Sequence, residues 1–203
     1  MKTKIIKVKG TWDEVLDDCR ATVGKSELQK QPSTEWKKKI LISEHSPIRD
    51  ISIKWKWENI KSWIATHWSR HKFECFIKTQ RTDRTGVNRD KLPQDAPVTF
   101  TGDANCQSLI DVMRKRLCFQ ASAETRKYAE DLKMTIRTIE PELADVLVPN
   151  CIYRGFCPEL TPCGFFENYV KNLSKEEMIS WAERYGRYNS QFYAKKGNNK
   201  NEL

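Results

Sequence analysis

The chain reads as an α+β domain in which an antiparallel sheet is flanked by long helices. Two observations predict this. Residues Ile51-Ser52-Ile53-Lys54-Trp55-Lys56-Trp57 alternate strictly, as a half-buried antiparallel strand does. Much of the remainder carries apolar residues at helical spacing behind capping signals. Hydrophobic residues make up 38% of the 203 positions, enough for a real core.

Residues 2–8 alternate loosely, as a short strand. Thr11 and Glu14 form a capping box ahead of Trp12, Val15, Leu16 and Cys19. A polar stretch through Pro32 reads as a loop, and Ser33 caps a helix bearing Trp36, Ile40 and Leu41. After the 51–57 strand, Asn59 precedes a helical pattern of Ile60, Trp63, Ile64, His67 and Trp68. Phe73 to Ile77 reads as another strand. Residues 82–101, with Gly86, Pro93 and Pro97, read as a long loop. Asp103 opens a helical stretch to about Ile139, and Pro141 begins a shorter helix. Ser174 and Glu177 form a second capping box, opening a C-terminal helix with Met178, Trp181, Tyr185 and Tyr188. The expected division is a main domain over residues 1–150, with a cysteine-containing loop and C-terminal helix over 151–203 packed on the same body. The tail Lys195-Lys196-Gly197-Asn198-Asn199-Lys200 is expected to be disordered.

No apolar run approaches the roughly 20 residues needed to span a bilayer. The lysine-bearing N-terminus lacks the apolar segment of a signal peptide. The expectation is a cytoplasmic protein without a membrane partner. Seven cysteines, an odd number, then read as thiols or metal ligands rather than as a disulfide framework. The net charge of +9 calls for an anionic partner or serves solubility. Its scatter through structured segments favours a phosphate-rich site over a nucleic-acid-binding stripe. Trp55, Trp57, Trp63 and Trp68 fall at core spacing, so packing is preferred over a stacking platform for single strands.

The densest chemical constellation is Thr66-His67-Trp68-Ser69-Arg70-His71-Lys72, followed by Thr79-Gln80-Arg81-Thr82-Asp83-Arg84. Adjacent cationic groups repel unless an anion compensates them, and arginine forks suit phosphate and carboxylate oxygens. A solvated basic turn has the same composition. A second constellation is Cys151, Cys157 and Cys163 in a Pro/Gly-rich loop, with Cys118 as a potential fourth ligand. Four thiolates suit Zn²⁺ or an iron–sulfur cluster. The alternative is a set of semi-buried thiols, and both readings stay open.

Over roughly residues 40–135 the chain resembles the flavin-dependent thymidylate synthase family. That family carries an Arg-His-Arg-x-x-Ser signature followed by Ser-x-Arg. Here Arg70-His71-Lys72 and then Thr79-Gln80-Arg81 take those places. His45, 25 residues before Arg70, resembles the family's upstream histidine, and His67 falls on its glutamine. A second block, Asn105, Ser108, Leu109, Arg116, Ala121 and Glu124, matches the family's Asn-x-x-Ser-Leu, Arg and Ala-Gln-x-Glu segment. Departures are Lys72 for arginine, Cys75 for the signature serine, and Thr99 near a family arginine.

The resemblance implies a sheet-and-helix fold, a homotetramer with sites shared between subunits, and transfer of a methylene group from methylenetetrahydrofolate to C5 of dUMP. FAD would carry the hydride and NADPH would reload it. Arg70, His71, Lys72 and Asn105 would bind the flavin. His67, Thr79, Arg81, Arg84 and Arg116 would bind the nucleotide. Arg116 at the uracil edge and His45 would take catalytic roles. Another C5 modification, such as hydroxymethylation, is the alternative chemistry. A metal-stabilised nucleic-acid-binding protein is the alternative class.

Overall fold

The alternation around Trp55 does build a strand, and that strand lies inside the sheet. The computed structural model describes residues 2–198. In chain order, β1 (Lys4–Lys9) leads to α1 (Trp12–Ala21), α2 (Thr34–Ser43) and a 3₁₀ turn at Ser46–Asp50. Next come β2 (Ser52–Lys61), α3 (Ser62–Ser69) and β3 (Glu74–Ile77). A single turn, α4 (Thr82–Thr85), and a 3₁₀ turn at Arg89–Lys91 precede β4 (Pro97–Asn105). The rest is helical: α5 (Cys106–Arg116), α6 (Ala123–Arg137), α7 (Pro141–Val146), α8 (Asn150–Arg154), α9 (Phe165–Val170), α10 (Lys175–Ile179) and α11 (Trp181–Asn198).

The four strands pair antiparallel in the order β1-β2-β4-β3. One face of β2 buries Ile53, Trp55, Trp57 and Ile60, and β4 adds Val98, Phe100 and Ala104. Trp68 of α3 completes the aromatic centre, its ring 4.8 Å from Trp57 and 6.5 Å from Trp55. Gly102 faces Trp55 across the β2–β4 pair. A β-carbon at Gly102 would fall 2.4 Å from the Trp55 ring, so the missing side chain is what seats the indole. The strand assigned to Trp55 and Trp57 and their core role are therefore borne out. Trp63 is only half-buried, against His67.

Four boundaries differ from the sequence reading. Residues 97–105 are an interior strand rather than the end of a loop. Val98 and Phe100 do alternate with Thr99 and Thr101, but Pro97 and Gly102 hide the pattern. Pro97 is tolerated as the first strand residue, where no ladder donor is required. Ile60 belongs to β2 and not to the following helix. A register shift between Trp57 and Ile60 accompanies Asn59 in the left-handed region (φ 56°), which asparagine tolerates. The stretch expected to run from Asp103 to Ile139 is two helices. Asn105 caps α5 by accepting from Ser108 N at 2.9 Å, and Ser122 caps α6 through Thr125 N at 3.3 Å. Ser180, with extended backbone, divides the C-terminal helix into α10 and α11.

Both capping boxes form as expected, with Glu14 Oε2 accepting from Thr11 N and Glu177 Oε2 from Ser174 N. Of the tail, Lys195 to Asn198 continue α11, while Asn199 and Lys200 lie outside the described residues. The C-terminal segment is tied down by a buried lysine, whose pKa burial lowers to about 7. Lys133 Nζ donates to the carbonyls of Ala144 (2.8 Å) and Leu147 (2.7 Å) and to Asn189 Oδ1 (2.7 Å). The rings of Tyr188, Phe192 and Tyr193 surround it at 5.2–5.3 Å. Among the described residues no helix is long and apolar enough to cross a membrane.

Candidate functional site

The basic triplet owes its position to two aromatic anchors. Trp68 is fully buried, and Phe73 packs 5.4 Å from the Trp55 ring. Between them the chain turns, with His71 N bonded to Trp68 O and Phe73 N to His71 O. Arg70, His71 and Lys72 are thereby held at the junction of α3 and β3. The β4–α5 junction, with Asn105 and Ser108, meets them there.

Two adjacent clefts result. One, of about 420 Å³, is lined by Arg70, His71, Lys72, Ser108, Asp111, Arg114, Lys115, Tyr153 and Arg154 among others. The second, of about 310 Å³, lies against Lys72, Ser108, Asp103 and Asn105. They share Lys72 and Ser108. The four expected flavin-binding residues, Arg70, His71, Lys72 and Asn105, thus come together from two separated stretches of chain. Asn105 is the helix cap and not a residue within the helix. Its Oδ1 is engaged by Ser108 N, which leaves its Nδ2 donors for a ligand.

The histidine does not act as a third cation. Arg116 Nε donates to His71 Nε2 at 2.8 Å, so that nitrogen is unprotonated and the ring carries its proton on Nδ1. Burial, followed by the charges of Arg116 and Lys115, pushes the His71 pKa down to about 4. His71 is therefore a neutral donor near pH 7. The sequence expectation of three adjacent positive charges reduces to Arg70 and Lys72.

Arg116 stands behind the cleft. Besides His71 it binds the His67 carbonyl through Nη2 at 2.7 Å. Burial and the nearby Arg70 charge both lower its pKa. His67 also lies behind the wall, its Nδ1 3.0 Å from Thr125 Oγ1 on α6. Burial, then Arg116 and Arg70, lowers its pKa. Arg116 thus holds His71 while the His67 carbonyl holds Arg116, and neither residue lines the cleft as expected for nucleotide ligands. His45 is exposed at the start of the 46–50 turn and also stays outside the cleft. Its neighbour Glu44 reaches the site instead, pairing with Arg114.

Thr79, Arg81 and Arg84 are not brought to the clefts. Strand β3 leaves the site from Glu74, opposite Asp103, towards Ile77, opposite Phe100, and carries them away. Arg81 bonds Asp83 at 3.0 and 2.7 Å in an exposed turn. Sequence reasoning missed Arg114, Lys115, Asn150, Tyr153 and Arg154. A helical spacing of Ser108, Asp111, Val112 and Lys115 on one face of α5 was available to find Lys115. No local pattern marked Arg154.

Cys118, Cys151, Cys157 and Cys163 share a neighbourhood. Gln120 Nε2 donates to Thr161 O at 2.5 Å, and the Phe119 and Phe165 rings stack at 4.5 Å. The thiols do not fit a metal, however. Among the described residues no group of three or more His, Cys, Asp or Glu is placed to hold an ion. All four are free thiols, and burial, with the neighbouring cysteines adding to it, pushes Cys151 up to about 12. Metal analysis of protein purified without chelator tests the expected zinc or iron–sulfur site.

Comparison with known proteins bears on the fold. No family model matches the chain, and no curated protein matches its sequence. Among solved structures, it is similar to a UMP/dUMP methylase, PolB, from Streptomyces cacaoi, bound with 5-Br dUMP. The TM-score is 0.58 at 10% identity, over 71% of this chain and 93% of that one. The chain has an α+β fold with a four-stranded antiparallel sheet, and it shares that fold with the methylase.

Proposed function

We propose that this chain modifies C5 of a pyrimidine deoxynucleotide, dUMP, as a flavin-dependent thymidylate synthase-like methyltransferase. Methylenetetrahydrofolate would donate the carbon, and FAD, reloaded by NADPH, would serve as cofactor. One observation carries the reading. The two motif blocks, Arg70–Lys72 and Asn105–Ser108, converge on clefts that share Lys72 and Ser108. They do so in a fold shared with a pyrimidine-nucleotide methylase.

When bound, the flavin would supply the hydride for reduction. The chain's own groups bind and orient. Arg70 and Lys72 offer charge to phosphate oxygens, and Arg70 can do so with two parallel bonds. Neutral His71 presents its Nδ1 proton, locked in that tautomer by Arg116. The Asn105 amide donates from the second cleft. The exposed Arg81–Arg84 turn would serve a neighbouring subunit in the homotetramer that the family resemblance implies.

The test is direct. Purified protein loaded with FAD should be yellow. Arg70→Ala should lose most of the bound flavin, since a charge-assisted contact is worth roughly 1.5–3 kcal/mol. Tritium should leave C5-labelled dUMP when FAD, NADPH and methylenetetrahydrofolate are present. Release without dTMP would redirect the reading to another C5 modification such as hydroxymethylation. Protein that cannot be loaded with FAD sinks the flavin reading.

A further inference from the structure

The larger cleft has a wall from α8, in a part of the chain to which neither motif block assigns a role. Its cations are of two kinds. Arg114 is already compensated: it pairs with Glu44, approaches Asp111 Oδ1 at 3.4 Å, and sets its guanidinium carbon 3.5 Å from the Tyr153 ring centroid. Arg70, Lys72, Lys115 and Arg154 line the same cleft and have no carboxylate partner among the described residues. Arg154 is held by its Nε alone, which donates to Asn150 Oδ1 at 3.1 Å one turn earlier. Both of its terminal nitrogens remain free for oxygen ligands.

Arg70, Lys72, Lys115 and Arg154 outnumber Asp111, the carboxylate on the wall of this cleft of about 420 Å³, so they repel one another and a ligand of matching charge relieves that repulsion. A single phosphate monoester brings about −1.5 to −2. Two linked phosphoryl groups match the set better. Arg70 and Lys72 come from the α3–β3 turn, and Lys115 and Arg154 from α5 and α8, so the charges reach the cleft from separate elements and suit two linked phosphoryl groups. Arg114 and Tyr153, in contact with each other, line the same cleft.

We propose that Arg154 makes this cleft selective for a nucleoside diphosphate moiety over a monophosphate, gripping the second phosphoryl group together with Lys115. The inference rests on reading the cleft as a nucleotide site, but it requires neither flavin nor dUMP chemistry.

Calorimetric titration of the full chain with ADP, AMP and inorganic phosphate at one fixed ionic strength tests it. Wild type should bind ADP at least about tenfold more tightly than AMP. Arg154→Ala should remove that preference, weakening ADP about ten- to hundredfold while leaving AMP nearly unchanged. Arg154→Lys should retain part of the preference. Arg70→Ala should weaken both nucleotides. Arg154 is exposed, so circular dichroism should show the Ala variant folded. Equal binding of ADP and AMP by wild type overturns the proposal, as does an Arg154→Ala variant that weakens both alike or neither. ADP binding that depends on Arg154, in protein that cannot be loaded with FAD, would sink the flavin reading and leave this one standing. FAD loading with ADP unaffected by Arg154→Ala would do the reverse.

Discussion

Arg116 Nε donates to His71 Nε2 across 2.8 Å, placing a permanent positive charge directly behind a histidine that lines the cleft. A protonated imidazole could not accept that bond, and it would face Arg116 and Lys115 as well. Burial, reinforced by the Arg116 charge, keeps His71 neutral, and the bond from Arg116 fixes its tautomer.

The consequence for pH has a definite sign. The His71 pKa falls from about 6.5 unfolded to about 4 folded, so the unfolded chain binds more protons between those values. This contribution to stability is fully present above about pH 6.5 and is lost as pH falls towards 4, with a slope of at most about 1.4 kcal/mol per pH unit. Imidazole ¹⁵N chemical shifts should show a proton on Nδ1 at pH 7 and a midpoint near pH 4. In Arg116→Gln the midpoint should rise. An unchanged midpoint in that variant would show that the guanidinium does not set the histidine's state.

Gly102 and Trp55 predict a packing effect. Gly102→Ala places a β-carbon 2.4 Å from the fully buried indole. The variant should lose roughly 1–3 kcal/mol in urea unfolding. Pairing it with Trp55→Phe should recover part of that loss, because the smaller ring clears the clash.

Lys133→Met tests the buried amine. Methionine keeps the apolar stem but leaves the Ala144 and Leu147 carbonyls and Asn189 Oδ1 without their donor. Each unsatisfied buried group costs about 1–3 kcal/mol. The variant should melt well below wild type, and amide exchange should accelerate in α11 ahead of the sheet. Uniform acceleration throughout would mean that Lys133 does not hold α11 specifically.

Legibility in the sequence followed the physics of each feature. The Trp55–Trp57 alternation, Thr11–Glu14 and Ser174–Glu177 are local patterns, and all three appear in the structure. Strand β4 escaped because Pro97 and Gly102 are turn residues by composition, and only the facing Trp55 explains the glycine. The convergence of Arg70, Lys72 and Asn105 was legible through family resemblance and not through spacing. The role of Arg116 was not legible. Its partners, His67 and His71, lie on another element, and helical spacing along α5 says nothing about them. Arg154 was invisible for the same reason.

The cysteines separate by burial, which predicts their chemistry. Cys163 is exposed, Cys19, Cys75, Cys118 and Cys157 are half-buried, and Cys106 and Cys151 are buried. Burial pushes the pKa values of the last two up, which suppresses their thiolates. Timed alkylation read by mass spectrometry should label Cys163 first and Cys106 and Cys151 only on unfolding. If Cys118, Cys157 and Cys163 were all protected until a chelator was added, bound metal would have to be restored to the account.

Arg81 and Arg70 lie at opposite ends of β3, one in an exposed turn and one at the cleft. If Arg81 contributes to catalysis, geometry requires that it act on a neighbouring subunit's cleft. The Arg70→Ala and Arg81→Ala variants should then each be nearly inactive in tritium release from C5-labelled dUMP. Mixing the two variants under conditions of subunit exchange should restore activity. Some mixed interfaces combine an intact cleft from one subunit with an intact Arg81 from the other. With random mixing in equal amounts, about a quarter of the clefts meet that condition, so recovery should approach a quarter of wild type. No recovery, with exchange verified by mass, would place both arginines in one subunit's chemistry or Arg81 in none. A fully active Arg81→Ala variant would remove that residue from the site altogether.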